Sequence, residues 1–117
     1  MKSGQHAAVV GAPETVRATV TDVPEGVVLS ERLDGQFDFI LCFVKTKAEV
    51  HQMALSLKAA MNPAAILWIA YPKGKSIPTD LNRDVLREQA MGSGLEAVSN
   101  VAIDDVWSAV RFKVSKS

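Results

Sequence analysis

The chain has 117 residues, 48% of them hydrophobic and 22% charged, which suits one globular domain and excludes a disordered tract. Lys and Arg number 13, as do Asp and Glu, so the formal net charge is zero. A neutral chain has no long-range pull on nucleic acid or an anionic membrane, and neither is expected as a partner. Its one cysteine, Cys42, forbids an internal disulfide and suits a reducing, cytoplasmic setting. Met1 to His6 lacks the apolar core of a signal peptide, and no apolar stretch approaches the roughly 20 residues of a membrane span.

His6 to Gly11 carries Ala-Ala-Val-Val and reads as a first strand that turns at the glycine. Glu14 to Val20 reads as a short helix, weakened by the β-branched Val16, Thr19 and Val20. After the turn at Pro24-Glu25-Gly26, Val27 to Ser30 reads as a short second strand. Phe37 to Val44 is apolar except at Asp38, the pattern of a strand buried on both faces.

Thr46-Lys47-Ala48-Glu49 matches a capping box and opens a helix over Lys47–Met61, with Val50, Ala54, Leu57 and Met61 on one face. Asn62-Pro63 is its expected stop. Ala65 to Tyr71 is again continuously apolar, a fourth strand in which Trp68 is expected to be buried. Thr79 or Asp80 is the expected cap of a second main helix running to about Met91. Its apolar stripe is Leu81, Val85, Leu86 and Ala90, and Gly92 and Gly94 end it. Ala97 to Ile103 and Trp107 to Val114 read as strands. The short link Asp104-Asp105-Val106 forces them into an antiparallel hairpin.

These elements predict one α/β domain over residues 1–117. Its sheet is minimal, Rossmann-like and mostly parallel, in the order 2-1-3-4-6-5 with the last strand antiparallel. Right-handed crossovers place the two main helices on one face. Parallel sheets bind ligands beyond the carboxyl ends of their strands, at the point where crossovers diverge. Gly11 and Ala12 arrive there from strand 1, Lys45 and Lys47 follow strand 3, and Lys73 and Lys75 follow strand 4. Asn82 and Arg83 lie at the entry of the last helix. Together they form a candidate anion site, helped by helix amino ends. The competing reading is a set of solvated loop lysines.

Asp80, Asn82 and Asp84 read equally well as capping groups. Asp104 and Asp105 read as turn residues rather than a metal pair. His6 and His51 have no evident metal partner, and a buried Cys42 would be inert. No catalytic residue, metal site or cofactor is expected.

The layout from Phe37 onward resembles the second half of a class I S-adenosylmethionine-dependent methyltransferase. The matching pieces are Phe37-Asp38-Phe39-Ile40, Met61-Asn62-Pro63-Ala64-Ala65 and Val106-Trp107-Ser108-Ala109-Val110. The chain is also similar to a family of small uncharacterised bacterial proteins with a truncated Rossmann-like core. That similarity rests on Val9-Val10-Gly11-Ala12-Pro13-Glu14, Tyr71-Pro72-Lys73, Thr79-Asp80-Leu81-Asn82-Arg83 and Ile103-Asp104-Asp105-Val106-Trp107-Ser108.

Methyltransferases of this class carry a glycine-rich cofactor turn after strand 1, where this chain has Gly11-Ala12-Pro13. Pro13 removes an amide donor. Glu31 is the one nearby candidate for the acidic residue that grips the cofactor ribose, and one strand-helix unit is missing.

Three functions follow as expectations. The first is a non-enzymatic binding or protein-interaction module derived from the methyltransferase-like core. The second is a small-anion or nucleotide binder using the basic rim. The third is an S-adenosylmethionine-dependent enzyme completed by dimerisation. Strand 2 and the final hairpin form exposed edges, which leave room for a homodimer.

Overall fold

The structure is a computed structural model that describes residues 5–14, 18, 25–31, 33, 35–73, 79–92, 94–104 and 106–114. Its elements are β1 (His6–Val10), β2 (Val28–Ser30), β3 (Phe37–Phe43), α1 (Lys47–Ala59), β4 (Met61–Pro72), α2 (Arg83–Met91), β5 (Leu95–Ala102) and β6 (Trp107–Val114). The helix expected over Glu14 to Val20 lies outside the described residues, apart from Glu14 and Ala18.

The six strands form one sheet in the order β2-β1-β3-β4-β6-β5. β1 is parallel to β2 and β3, and β3 is parallel to β4. β6 runs antiparallel to both of its neighbours. This is the expected Rossmann-like arrangement, and its cause is visible in the two faces of β3. Ile40, Cys42 and Val44 pack into a core with Val50, Ala54 and Leu57 of α1 and Leu86 and Ala90 of α2. Leu41 and Phe43 join a second cluster on the other face with Val9, Ala70, Trp107 and Ala109. Apolar side chains on alternate faces of one strand can only be satisfied by cover on both sides.

Several boundaries differ from those read in the sequence, most of them by a residue or two. α1 stops at Ala59, and Met61 begins β4 instead of ending the helix. The Phe37 amide donates to the Ala60 carbonyl at 2.7 Å, and Phe37 pairs with Met61, so sheet pairing captures the chain two residues early. β3 then advances from Phe37 to Phe39 while β4 advances from Met61 to Ile66.

α2 is capped by Asn82, whose side-chain oxygen accepts from the Val85 amide at 2.9 Å, rather than by Thr79 or Asp80. β5 starts at Leu95, two residues early, because Leu95 is wholly buried in the core under the helices. Gly94 makes this early start feasible. It adopts φ +86°, which reverses the chain straight out of α2.

Trp68 is only half-buried, whereas Trp107 is 2% exposed and meets Phe43 edge to face at 5.1 Å. The fully buried tryptophan is therefore in the hairpin strand. Asp104 closes that hairpin by accepting the amides of Val106 and Trp107 at 2.8 and 2.7 Å, the turn role expected of it. Asp105 lies outside the described residues.

Candidate functional site

β1 and β3 end side by side, with Val10 opposite Cys42. Gly11 follows with φ +72° and is exposed. A Cβ at this position would stand 3.1 Å from the Phe43 carbonyl oxygen, closer than a side chain sits comfortably. Only glycine combines that backbone angle with that approach. Gly11 and Ala12 thus lie at the predicted switch point, beside the start of the Val44–Thr46 link to α1.

Lys45 and Lys47 are both exposed on this link and on the first turn of α1. Their main-chain groups are taken up by the chain itself. The Glu49 amide donates to Thr46 Oγ1 at 3.2 Å, the expected cap, whereas Glu49 Oε1 accepts the amide of Lys45 at 2.8 Å, one residue before the cap, in place of the cap's own amide. Two further bonds come from the segment before α2. The Thr79 hydroxyl donates to the Lys45 carbonyl at 2.5 Å, and the Lys47 amide donates to Asp80 Oδ1 at 2.8 Å. Thr79 Oγ1 also accepts the Leu81 amide at 2.9 Å. Asp80 therefore puts a carboxylate on the amino end of α1, where the helix dipole favours negative charge. An acid supplied by the chain occupies the place an anionic ligand would use.

Lys73 follows β4, which is parallel to β3, and so leaves from the same border of the sheet; its amide donates to the Val106 carbonyl at 2.8 Å. Lys75 lies outside the described residues. Asn82 spends its carboxamide oxygen on the α2 cap. Arg83 lines a cleft of about 170 Å³ between α2 and β5, together with Arg87, Ala97, Val98, Ser99, Asn100 and Val110. The structure thus brings Gly11, Ala12, Lys45 and Lys47 to the ends of β1 and β3, and turns Arg83 to a different surface. The sequence reading passed over Arg87. The four-residue spacing from Arg83 is the signal that could have found it, because such residues share one face of a helix.

Asp38, the polar interruption in β3, is structural. It accepts the His6 amide at 2.9 Å and the Asn62 amide group at 2.8 Å, joining the amino ends of β1, β3 and β4. The His6 amide, then the Asn62 group, hold its carboxyl below the usual range. Cys42 is buried, and burial with the Glu49 carboxylate nearby pushes its thiol up to about 12. It has no thiolate character at neutral pH. Among the described residues no group of three or more His, Cys, Asp or Glu side chains could hold a metal ion. No described helix is long and apolar enough to cross a membrane.

No protein-family model matches the chain, and no curated protein matches it in sequence. Solved structures do match in shape. The mitomycin 7-O-methyltransferase MmcR superposes with TM-score 0.66 at 15% identity, covering 97% of this chain and 50% of that one. A TehB-like S-adenosylmethionine-dependent methyltransferase from Corynebacterium glutamicum gives 0.61 at 11% identity, covering 98% and 83%. LepI in complex with S-adenosylmethionine gives 0.58 at 12%, covering 94% and 36%. The chain thus spans about a third of LepI and half of MmcR. The fold is a Rossmann-like α/β core of the methyltransferase type.

Proposed function

We propose that the chain is a non-enzymatic binding or protein-interaction module, working in the cytoplasm, that keeps a methyltransferase-like core. The observation that carries this reading is the Asp80 carboxylate bonded to the Lys47 amide. With Thr46, Glu49 and Thr79 it satisfies the loop between β3 and α1 from within. The turn at Gly11-Ala12-Pro13 adds one glycine and a proline without an amide, a poor cradle for a nucleotide cofactor. Titration calorimetry with S-adenosylmethionine tests the reading, together with a methyl-transfer assay on mixed substrates. No heat and no transfer are expected. Micromolar binding or turnover overturns the reading and restores the enzyme completed by dimerisation.

One observation favours a second reading, a small-anion or nucleotide site. Gly11 is exposed at the switch point, and the exposed Lys45 and Lys47 follow the neighbouring strand. On this reading Gly11, Ala12, Lys45, Lys47 and Lys73 would hold a phosphate. Phosphate would then raise the melting temperature of the wild type through preferential binding to the folded state. Lys45→Ala with Lys73→Ala would remove the rise.

A further inference from the structure

The outer border of the sheet at β5 differs from its interior in three ways. First, β5 ends the strand order, so its outer side has no strand partner among the described residues. Second, the run Ala97 to Ala102 (Ala-Val-Ser-Asn-Val-Ala) has no charge and no proline, two of the usual protections of an edge. Val98 and Val101 are exposed large apolar residues on it. Third, a cleft lined by Arg83 and Arg87 runs between this strand and α2.

The local geometry suits a guest strand. Ala97 pairs with Phe112 and Ser99 with Arg111, so Val98 is an extra residue that bulges β5. After the bulge, Ser99 to Ala102 run in unbroken register against Arg111 to Ser108. Asn100, opposite the core residue Val110, is brought to the helix side of the sheet. A strand laid along Ser99–Ala102 would point alternate side chains toward α2. There it would meet two guanidinium groups.

Arg83 has a loose exposed pair with its neighbour Asp84, at 3.6 Å, and such pairs are weak. Arg87 makes no ion pair among the described residues. On β5 itself the ion pair found among the described residues, Lys113 with Glu96 at 3.9 Å, joins β6 to the start of the strand, before the bulge. Guanidinium groups suit carboxylates because their paired donors match both oxygens.

We infer that the β5 edge beside Arg83 and Arg87 docks an acidic segment of a partner protein as an added strand. This deepens the interaction-module reading and rests on it. Main-chain bonds to Ser99–Ala102 supply affinity, and acidic side chains at alternate positions engage the arginines. Charge selects this occupant over a second copy of the chain. Antiparallel pairing of two β5 edges keeps both copies of α2 on the same face of the joined sheet. Four arginines would then gather along one seam, a like-charge arrangement that disfavours association.

Fluorescence anisotropy with a short labelled peptide alternating Glu and Thr tests the inference on the full chain. Saturable binding that weakens with salt is expected. Arg83→Glu with Arg87→Glu should weaken it by about tenfold or more, since it sets like charges against each other. The same variant should gain binding to a peptide alternating Lys and Thr. Both arginines are exposed on α2, so the variant is expected to fold, and circular dichroism checks this. A Glu-Thr peptide methylated at alternate backbone nitrogens cannot add to an edge and should not bind.

Absence of saturation overturns the inference, as does equal binding by the methylated peptide or by the charge-reversed chain. A dimer in light scattering that Arg83→Glu with Arg87→Glu leaves intact, and that excludes the peptide, hands the edge to a second copy. None of these results bears on the calorimetry with S-adenosylmethionine, so failure here is distinguishable from failure of the module reading.

Discussion

The rim over β3 and α1 and the cleft between α2 and β5 carry similar cations and differ in what surrounds them. At the rim, Lys45 and Lys47 accompany main-chain groups that Glu49, Thr46, Thr79 and Asp80 already satisfy. At the cleft, Arg83 and Arg87 stand beside a strand whose outer side has no strand partner among the described residues. The difference teaches that positive residues mark a binding surface only where the chain has not answered them itself. A carboxylate on a helix amino end removes the dipole and the free amide together. An open sheet edge keeps a whole row of donors and acceptors unpaired.

The largest expected effect comes from the residue that supports both regions. Trp107 begins β6, the strand that carries β5, and its ring meets Phe43 at the end of β3. Trp107→Ala should cost about 3–5 kcal/mol in urea denaturation. Trp68→Ala, at a half-buried site, should cost clearly less. Equal costs would mean that the hairpin does not anchor the sheet. Next comes Gly11→Ala, which forces φ +72° on a residue with a Cβ and crowds the Phe43 carbonyl. A loss of about 1–2 kcal/mol is expected, against little change for Gly35→Ala, whose added Cβ meets nothing within 4 Å.

Asp80→Ala sharpens the contrast most directly. It should cost about 1 kcal/mol, the usual worth of a side-chain cap. It also uncovers the Lys47 amide. Thermal shift should then show phosphate stabilising the variant and leaving the wild type unmoved. A wild type raised by phosphate as much as the variant would erase the distinction between rim and cleft.

Much of the fold was legible because it follows from local pattern. Two almost wholly apolar strands around a capped amphipathic helix implied the parallel pairing of β3 and β4. The short Asp104–Val106 link fixed the hairpin. Boundaries shifted where a tertiary contact outweighed the local signal. Met61 was drawn into β4 by Phe37, and Leu95 was drawn into the core beyond Gly94. The candidate site was less legible. Sequence spacing brings Lys45, Lys47 and Gly11 to one border, but it does not reveal that Asp80 reaches back to α1 across 33 positions. Nor does it say which side of α2 Arg83 takes, because that depends on how the helix packs against β5.

The smallest effects are the pH dependences of two buried or bonded groups, and they bracket the neutral range. The Cys42 thiol is raised from 9.0 to about 12, chiefly by burial and then by Glu49. A raised value means that the folded state holds its proton more tightly. The stability it contributes is complete below about pH 9 and is lost as pH climbs from there toward 12. Asp38 behaves in the opposite sense. Its carboxyl is held below the usual 3.8 by the His6 amide and then by Asn62. That contribution is present above 3.8 and disappears as pH falls through the lowered folded value. Urea midpoints should therefore be flat between about pH 5 and 8 and fall at both ends. Cys42→Ala should remove part of the alkaline fall, and Asp38→Asn part of the acid one. Native Cys42 should resist a thiol reagent at pH 8 and react once urea is added. Rapid labelling of the folded chain would show that the core beneath α1 opens, and with it the frame on which the Asp80 contact depends.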